Sequence, residues 1–168
     1  MTTVSSTVES TIAAPRGPFW TWLVPGVFFN ELHTVMRDAA FLPGVERTTD
    51  TTGPWDVPGS NRIIHTTDGS TVRETVTSAV APDYFAYRVT EFTSPLIRRL
   101  VTEARGQWWF SDAGAGTHAK WTYSFDTKAF WAVPLLFPMV KLLWSRYMKA
   151  TMNVTKERAE VEVKAVSQ

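Results

Sequence analysis

The chain has 168 residues, of which 44% are hydrophobic and 20% charged, and these values exclude a disordered chain and fit one domain over residues 1–168. Its 17 Lys and Arg and 16 Asp and Glu leave a net charge of +1, so the chain lacks the basic excess that nucleic-acid binding requires. Cysteine is absent, which excludes disulfide scaffolds and thiolate zinc sites and favours the reducing cytoplasm.

Two segments bear on targeting and membranes. Residues 1–10 are polar and carry no Lys or Arg, so we expect no signal peptide. The most apolar stretch, residues 129–140, contains Pro134 and Pro138 and is shorter than the roughly 20 apolar residues of a transmembrane helix. We therefore expect a soluble, cytoplasmic protein without a transmembrane segment.

Two short helices are predicted after the first strand. Pro15 and Pro18 suit the first turn of a helix, because proline is tolerated where the backbone N–H has no partner. Pro25-Gly26 is expected to end this helix, and residues 30–37 are expected to form the second.

Seven runs rich in Thr, Val and aromatic residues, separated by turn signals, predict strands. Short turns join most of these runs, which favours an antiparallel sheet. The predicted strands are Val4–Ile12, Val45–Thr52, Asn61–Thr67, Ser70–Val80, Tyr84–Phe92, Val101–Ser111 and His118–Asp126.

A long amphipathic helix is predicted at the end of the chain, from Pro134 or Pro138 to about Val161. It is the only predicted element long enough to cover the apolar face of the sheet. Its apolar residues recur at spacings of three and four, at Leu136, Val140, Leu143, Tyr147, Ala150 and Val154, and Met139, Leu143 and Tyr147 form its expected inner stripe.

The faces of the sheet follow from two predicted turns. A two-residue turn at Asp68-Gly69 would pair His65 with Val72 and Ile63 with Glu74. Arg62 would then face solvent, and His65 and Glu74 would lie within side-chain reach on the inner face. A two-residue turn at Ala81-Pro82 would pair Tyr87 with Val76 and Val89 with Glu74. The last two strands would add Trp108, Phe110, Trp121, Tyr123 and Phe125 to the inner face and place Trp109 outside.

The order and spacing of the turns and inward-facing residues form a pattern over nearly the whole chain. The pieces are Gly59-x-x-Arg62, Asp68-Gly69-x-x-x-x-Glu74-x-Val76, Phe85-x-Tyr87-x-Val89, Gly106-x-Trp108-x-Phe110 and Gly116-Thr117-x-x-x-Trp121-x-Tyr123-x-Phe125.

This pattern resembles the START-like (SRPBCC, Bet v 1-like) superfamily, specifically its polyketide cyclase/dehydrase and lipid-transport group. The resemblance implies an α+β helix-grip fold, in which a curved seven-stranded antiparallel sheet wraps around the long C-terminal helix and two short helices follow the first strand. It also implies a cavity between sheet and helix that holds a small hydrophobic molecule such as a lipid or a polyketide. The group has no universal catalytic residues.

Three functions stay open on this basis. The first is a carrier or sensor that binds a hydrophobic or amphipathic ligand, with its polar end fixed by Glu74, His65 and Tyr87. The second is a cyclase or dehydratase that uses Glu74 or His65 as an acid or base. The third is an interaction module with a filled core and an exposed apolar patch near residues 130–137. The ligand-binding candidates are Ile63, His65, Glu74, Val76, Tyr87, Val89, Trp108, Phe110, Trp121, Tyr123, Met139, Leu143 and Tyr147.

Other features give weaker indications. The three His residues lack metal-ligand spacing, so we expect no metal site. The sequence has no P-loop and no G-x-G-x-x-G motif, so we expect no cofactor. Phe28, Phe29 and Trp55 are candidates for a mobile entrance, and the apolar segment 130–140 is a candidate lid. The Arg98-Arg99 pair follows an apolar tripeptide, which suggests peripheral contact with anionic lipid headgroups.

Overall fold

The computed structural model describes residues 2–166 and shows one antiparallel seven-stranded sheet in the order β1-β7-β6-β5-β4-β3-β2. The sheet curls around a long C-terminal helix, and the core lies between the two, as the sequence predicts. The strands are β1 Thr3–Ile12, β2 Val45–Thr49, β3 Asn61–Thr66, β4 Thr71–Val80, β5 Tyr84–Thr90, β6 Val101–Ala113 and β7 Gly116–Thr127.

The N-terminal helical segment differs from the prediction at its break point. Helix Arg16–Thr21 continues into a π-helical turn, Trp22–Val27, that contains Pro25, and then into Phe28–Asn30. A π-helical turn is wider than an α-helical one, so it accommodates the proline ring and the missing N–H without ending the helix. The break predicted at Pro25-Gly26 is therefore wrong. The observed break lies at Glu31, which precedes the short helix Leu32–Val35.

The C-terminal helix, residues 130–166, also contains a π-helical turn. A 3-10 turn, Phe130–Ala132, and helix Val133–Pro138 lead into the π-helical turn Met139–Trp144 and then helix Ser145–Val166. The wider turn rotates the inward face relative to a regular helix. Leu136, Val140 and Tyr147 are buried as predicted, but Met139, Leu143, Ala150 and Val154 are only partly buried. Beyond the turn the buried residues are Met148, Thr151, Met152, Thr155, Ala159 and Val163.

Two further features complete the fold. A short helix, Ile97–Leu100, which the sequence analysis did not predict, precedes β6. Within residues 2–166, none of the helices has the length and apolar character needed to cross a bilayer.

The β3–β4 hairpin has a different register from the predicted one. Its loop has three residues, because the Thr66 amide donates to the Ser70 carbonyl and the pairing begins with His65 opposite Thr71. Gly69 has a φ of +83°, which is the left-handed position of a three-residue hairpin loop. Since side chains alternate across a strand, this one-residue shift moves every side chain of β3 to the other face. Arg62 and Ile64 therefore face the core, and Ile63 and His65 do not.

The predicted pairs between β4 and β5 are confirmed although the predicted turn is wrong. Val76 lies opposite Tyr87 and Glu74 lies opposite Val89. The loop after Val80 has three residues rather than two, and a bulge between Val76 and Ser78 absorbs the extra residue. The inner face of β6 and β7 is also as predicted, and Trp109 lies outside.

The two adjacent isoleucines of β3 test this register. Ile64 is 6% exposed whereas Ile63 is half-buried on the outer face, so Ile64→Ala should lower the free energy of unfolding by about 2–4 kcal/mol and Ile63→Ala by less than about 1.5 kcal/mol. Urea unfolding of both variants measures the difference. A larger loss for Ile63→Ala would support the two-residue turn instead.

Candidate functional site

A buried ion pair lies on the inner face of the sheet. Arg62 on β3 is opposite Glu74 on β4, and both are removed from solvent. The Nε and Nη2 atoms of Arg62 donate to Oε2 of Glu74 at 3.0 and 2.8 Å, and Nη1 donates to the backbone carbonyl of Phe28. The guanidinium carbon lies 3.7 Å from the ring centroid of Trp55. One arginine thus joins two strands, the N-terminal helical segment and the loop that carries Trp55.

The electrostatics of this pair are dominated by its burial. Burial raises the pKa of the Glu74 carboxyl, and the neighbouring Arg62 guanidinium opposes that rise. A buried ion pair of this kind is often no more stable than apolar residues of the same volume, because both charges lose their hydration. Stability alone therefore does not account for its presence.

A small enclosed cavity adjoins the pair. Its volume is about 10 Å³, which is about the space that one water molecule needs. In this conformation the cavity is therefore too small for a ligand larger than water. The cavity is lined by Phe28, Leu32, Met36, Trp55, Arg62, Glu74, Tyr87, Trp121 and Thr151.

Aromatic rings form the sheet side of this site. The rings of Trp108 and Trp121 stack with their centroids 4.9 Å apart, and Tyr87 lies 6.3 Å from Tyr123. Gly106 sits beside Tyr87, and a Cβ there would lie 2.1 Å from Cζ of that tyrosine, so only glycine leaves room for the ring. Burial raises the pKa of Tyr87, and the Glu74 charge adds to the effect.

Three buried donors, two on the sheet and one on the C-terminal helix, lack acceptors. The indole N–H groups of Trp108, Trp121 and Trp144 have no hydrogen-bond partner among the described residues. The indole N–H groups of Trp108 and Trp121 lower the pKa of the Tyr87 hydroxyl, which opposes the effect of burial, but neither makes a hydrogen bond. A buried donor without an acceptor costs about 1–3 kcal/mol, so these groups require an explanation.

The predicted site residues separate into two groups. Glu74, Tyr87 and Trp121 line the cavity, and the other buried candidates surround them on the inner face or on the helix. Ile63 and His65 lie on the outer face, and Met139 and Leu143 are partly buried on the helix. The surrounding buried candidates are Val76, Val89, Trp108, Phe110, Tyr123 and Tyr147.

The predicted His65–Glu74 pair is not formed. Nε2 of His65 is 2.8 Å from Oγ1 of Thr49 on the outer face, and Glu74 is paired with Arg62 instead. The one-residue difference in hairpin length is the cause. Glu74 and His65 therefore cannot act as an acid–base pair in this arrangement.

The sequence analysis missed Arg62 and gave Trp55 only an entrance role. Asp68-Gly69 also fits a three-residue loop with glycine at its last position, and that choice alone would have placed Arg62 opposite Glu74. The partners from the helical segments, Leu32, Met36 and Thr151, carry no local signal.

An open depression of about 600 Å³ lies on the outer face of the sheet and is lined in part by Tyr84, Trp109 and Lys120. Within residues 2–166, no group of three or more His, Asp or Glu side chains could hold a metal ion. The inner cavity is thus the better candidate, because its charged groups are buried and converge.

Comparison with known proteins agrees with this architecture. The family model described as polyketide cyclase / dehydrase and lipid transport matches residues 1–160, and the chain belongs to that family. No curated protein matches the chain.

Solved structures share the Bet v 1-like fold at low sequence identity. Norcoclaurine synthase from Thalictrum flavum is 15% identical with a TM-score of 0.70, over 93% of this chain and 92% of that one. Ara h 8.0201 is 18% identical with a TM-score of 0.66, over 92% of this chain and 98% of that one. The di-domain ARO/CYC protein BexL is 22% identical with a TM-score of 0.65, over 95% of this chain and 50% of that one. At these identities the likeness shows the fold alone.

Substitutions at the ion pair test its energetic role. Arg62→Met or Glu74→Leu alone leaves one buried charge without a partner and should lower the free energy of unfolding by about 3–5 kcal/mol. The double variant Arg62→Met/Glu74→Leu removes both charges and should lose less than about 2 kcal/mol. Chemical denaturation of the four proteins gives the coupling energy. A double variant that loses the sum of the two single effects would show that the partners do not depend on each other.

Proposed function

We propose that this protein binds a small amphipathic molecule between the sheet and the C-terminal helix, with its oxygen acceptors directed at the buried donors of the inner face. The observation that carries the proposal is a cavity lined by the buried Arg62–Glu74 pair and by Trp121, whose indole N–H lacks an acceptor. The unpaired indole of Trp108 stacks against Trp121. Ligand sites are mostly apolar and contain a few convergent polar groups, which is the composition found here.

The chemistry of the lining defines the class of ligand. Trp121 and Tyr87 line the cavity and offer flat apolar surfaces on which a ring system can stack, and Trp108 stacks against Trp121. The two indole N–H groups require acceptors such as a carbonyl, a phenol oxygen or a carboxylate. A ligand with fused or linked rings and several oxygens satisfies both requirements, which agrees with the polyketide and lipid chemistry in the description of the family.

Binding requires part of the cavity wall to move, because about 10 Å³ does not accommodate such a molecule. The wall opposite the sheet includes Phe28, Leu32 and Met36, which lie on either side of the helix break at Glu31. The C-terminal helix is packed along β1. We therefore assign the movement that enlarges the cavity to this short segment. Phe28 and Trp55 then have the entrance role expected from the sequence.

The enzyme alternative has less support from the site. It needs a free acid or base in the cavity, but His65 lies on the outer face and the Glu74 carboxylate accepts two hydrogen bonds from Arg62. The similar enzymes share only the fold with this chain, so they assign no catalytic residue to it.

The neighbouring residues Trp108 and Trp109 provide a matched test. The probe is 1-anilinonaphthalene-8-sulfonate, which carries aromatic rings and an anionic acceptor and fluoresces when it leaves water. Trp108→Phe keeps a ring but removes the inner donor, so it should weaken binding about 10- to 150-fold, the effect of one hydrogen bond to a charged group. Trp109→Phe makes the same change on the outer face and should leave the dissociation constant unchanged.

The location of the probe needs a second control, because apolar patches on the surface also bind this dye. Trp131→Ser/Leu135→Ser alters the exposed helix face far from the cavity lining and should not change the dissociation constant. Equal affinities for the Trp108→Phe and Trp109→Phe variants, or loss of binding only in the Trp131→Ser/Leu135→Ser variant, would contradict the cavity site.

A further inference from the structure

The start of the C-terminal helix exposes large apolar side chains. Five of the eleven exposed large hydrophobic residues in the described part of the chain lie between residues 130 and 142. Their total exposed area is on the order of 500 Å², comparable with the largest apolar patch of a typical soluble monomer. We call these residues the apolar patch: Phe130 (83% exposed), Trp131 (53%), Leu135 (59%), Phe137 (51%) and Leu142 (57%).

This part of the helix is apolar on both sides. Ala132, Leu136 and Val140 are fully buried against the core, and they account for one face. Trp131, Leu135 and Leu142 recur at helical spacing on the opposite face, where a solvated helix carries charged residues. The outer face of this helix therefore exposes to solvent apolar side chains that an apolar partner would cover.

The segment that carries the apolar patch has charges of one sign. Residues 127–156 contain no Asp or Glu and five basic residues, although the whole chain is nearly neutral. The Lys128 amide donates to the Leu100 carbonyl at 3.0 Å, which brings the exposed Arg98 and Arg99 beside the start of the patch. No carboxylate of residues 2–166 lies within ion-pair distance of Arg98, Arg99, Lys128 or Lys141. The segment therefore combines exposed aromatic rings with uncompensated cations.

We infer that the apolar patch docks on the surface of an anionic lipid bilayer. Trp and Phe side chains insert at the boundary between headgroups and acyl chains, while Lys and Arg contact anionic headgroups. The helix lies on the membrane and does not span it. A second copy of this chain is a poorer occupant, because a symmetric contact through the patch would bring these cations against their own copies. This inference goes beyond the ligand proposal and does not depend on it.

Vesicle co-sedimentation tests the inference directly. The full chain is mixed with large unilamellar vesicles of phosphatidylcholine containing 30% phosphatidylserine, or of phosphatidylcholine alone. We expect binding to the anionic vesicles that is at least tenfold tighter than to the neutral ones, and that weakens as NaCl is raised from 0.1 to 0.5 M. Both effects follow from screened attraction between the cations and the headgroups.

Matched surface variants assign the binding to the patch. Trp131→Ser/Leu135→Ser should reduce vesicle affinity at least tenfold, whereas Trp109→Ser/Val161→Ser, which removes exposed apolar groups elsewhere, should leave it unchanged. Arg98→Ser/Arg99→Ser should reduce binding to anionic vesicles but not to neutral ones. Arg47→Ser/Arg88→Ser removes the same positive charge elsewhere on the surface and should leave binding unchanged.

The inference is overturned by no sedimentation with anionic vesicles, or by equal loss in the patch and control variants. It is also overturned if the chain does not bind vesicles but forms dimers in analytical ultracentrifugation that Trp131→Ser/Leu135→Ser abolishes. That result would assign the patch to self-association. None of these variants alters a residue that lines the inner cavity, so failure here leaves the ligand proposal untouched.

Discussion

A guanidinium and a carboxylate that are both withdrawn from water must satisfy each other, and in this fold one such pair connects four of the elements around the cavity. Arg62 bonds Glu74 on the next strand, the carbonyl of Phe28 in the N-terminal helical segment, and the face of Trp55. The position of that helical segment over the sheet therefore depends on the register of a single hairpin. A one-residue slip would bury His65 in place of Arg62 and leave Glu74 without its partner.

Most of the sheet could be predicted because alternation on β4 to β7 is decisive. One face of these strands carries the large apolar side chains, and no other register buries them all. These side chains are Val76, Tyr87, Trp108, Phe110, Trp121 and Tyr123. In β3 each face of the strand combines an apolar and a polar residue. Arg62 and Ile64 lie on one face, and Ile63 and His65 lie on the other. Alternation could not choose between them, and the choice depended on whether the Asp68-Gly69 loop has two or three residues.

The helices were harder to predict for a different reason. A proline in sequence indicates a break, but Pro25 and Pro138 lie in or beside π-helical turns that absorb the lost hydrogen bond. These turns also rotate the inward face, so that Thr151 rather than Val154 lies deep in the core. The cavity lining from Leu32, Met36 and Thr151 results from tertiary packing, and no local pattern marks it.

The molecule thus has polar groups inside an apolar core, and apolar groups on the surface of a basic segment. Both features depart from the usual distribution of polar and apolar residues and favour function over stability. The buried polar groups are central to the proposed ligand binding. Native mass spectrometry of freshly purified protein tests their role most directly. We expect the wild type to carry a mass above 18.9 kDa that disappears on denaturation, and folded Arg62→Met/Glu74→Leu to carry none. A double variant that retains the same bound molecule would contradict the account, because the pair would then have no part in holding it.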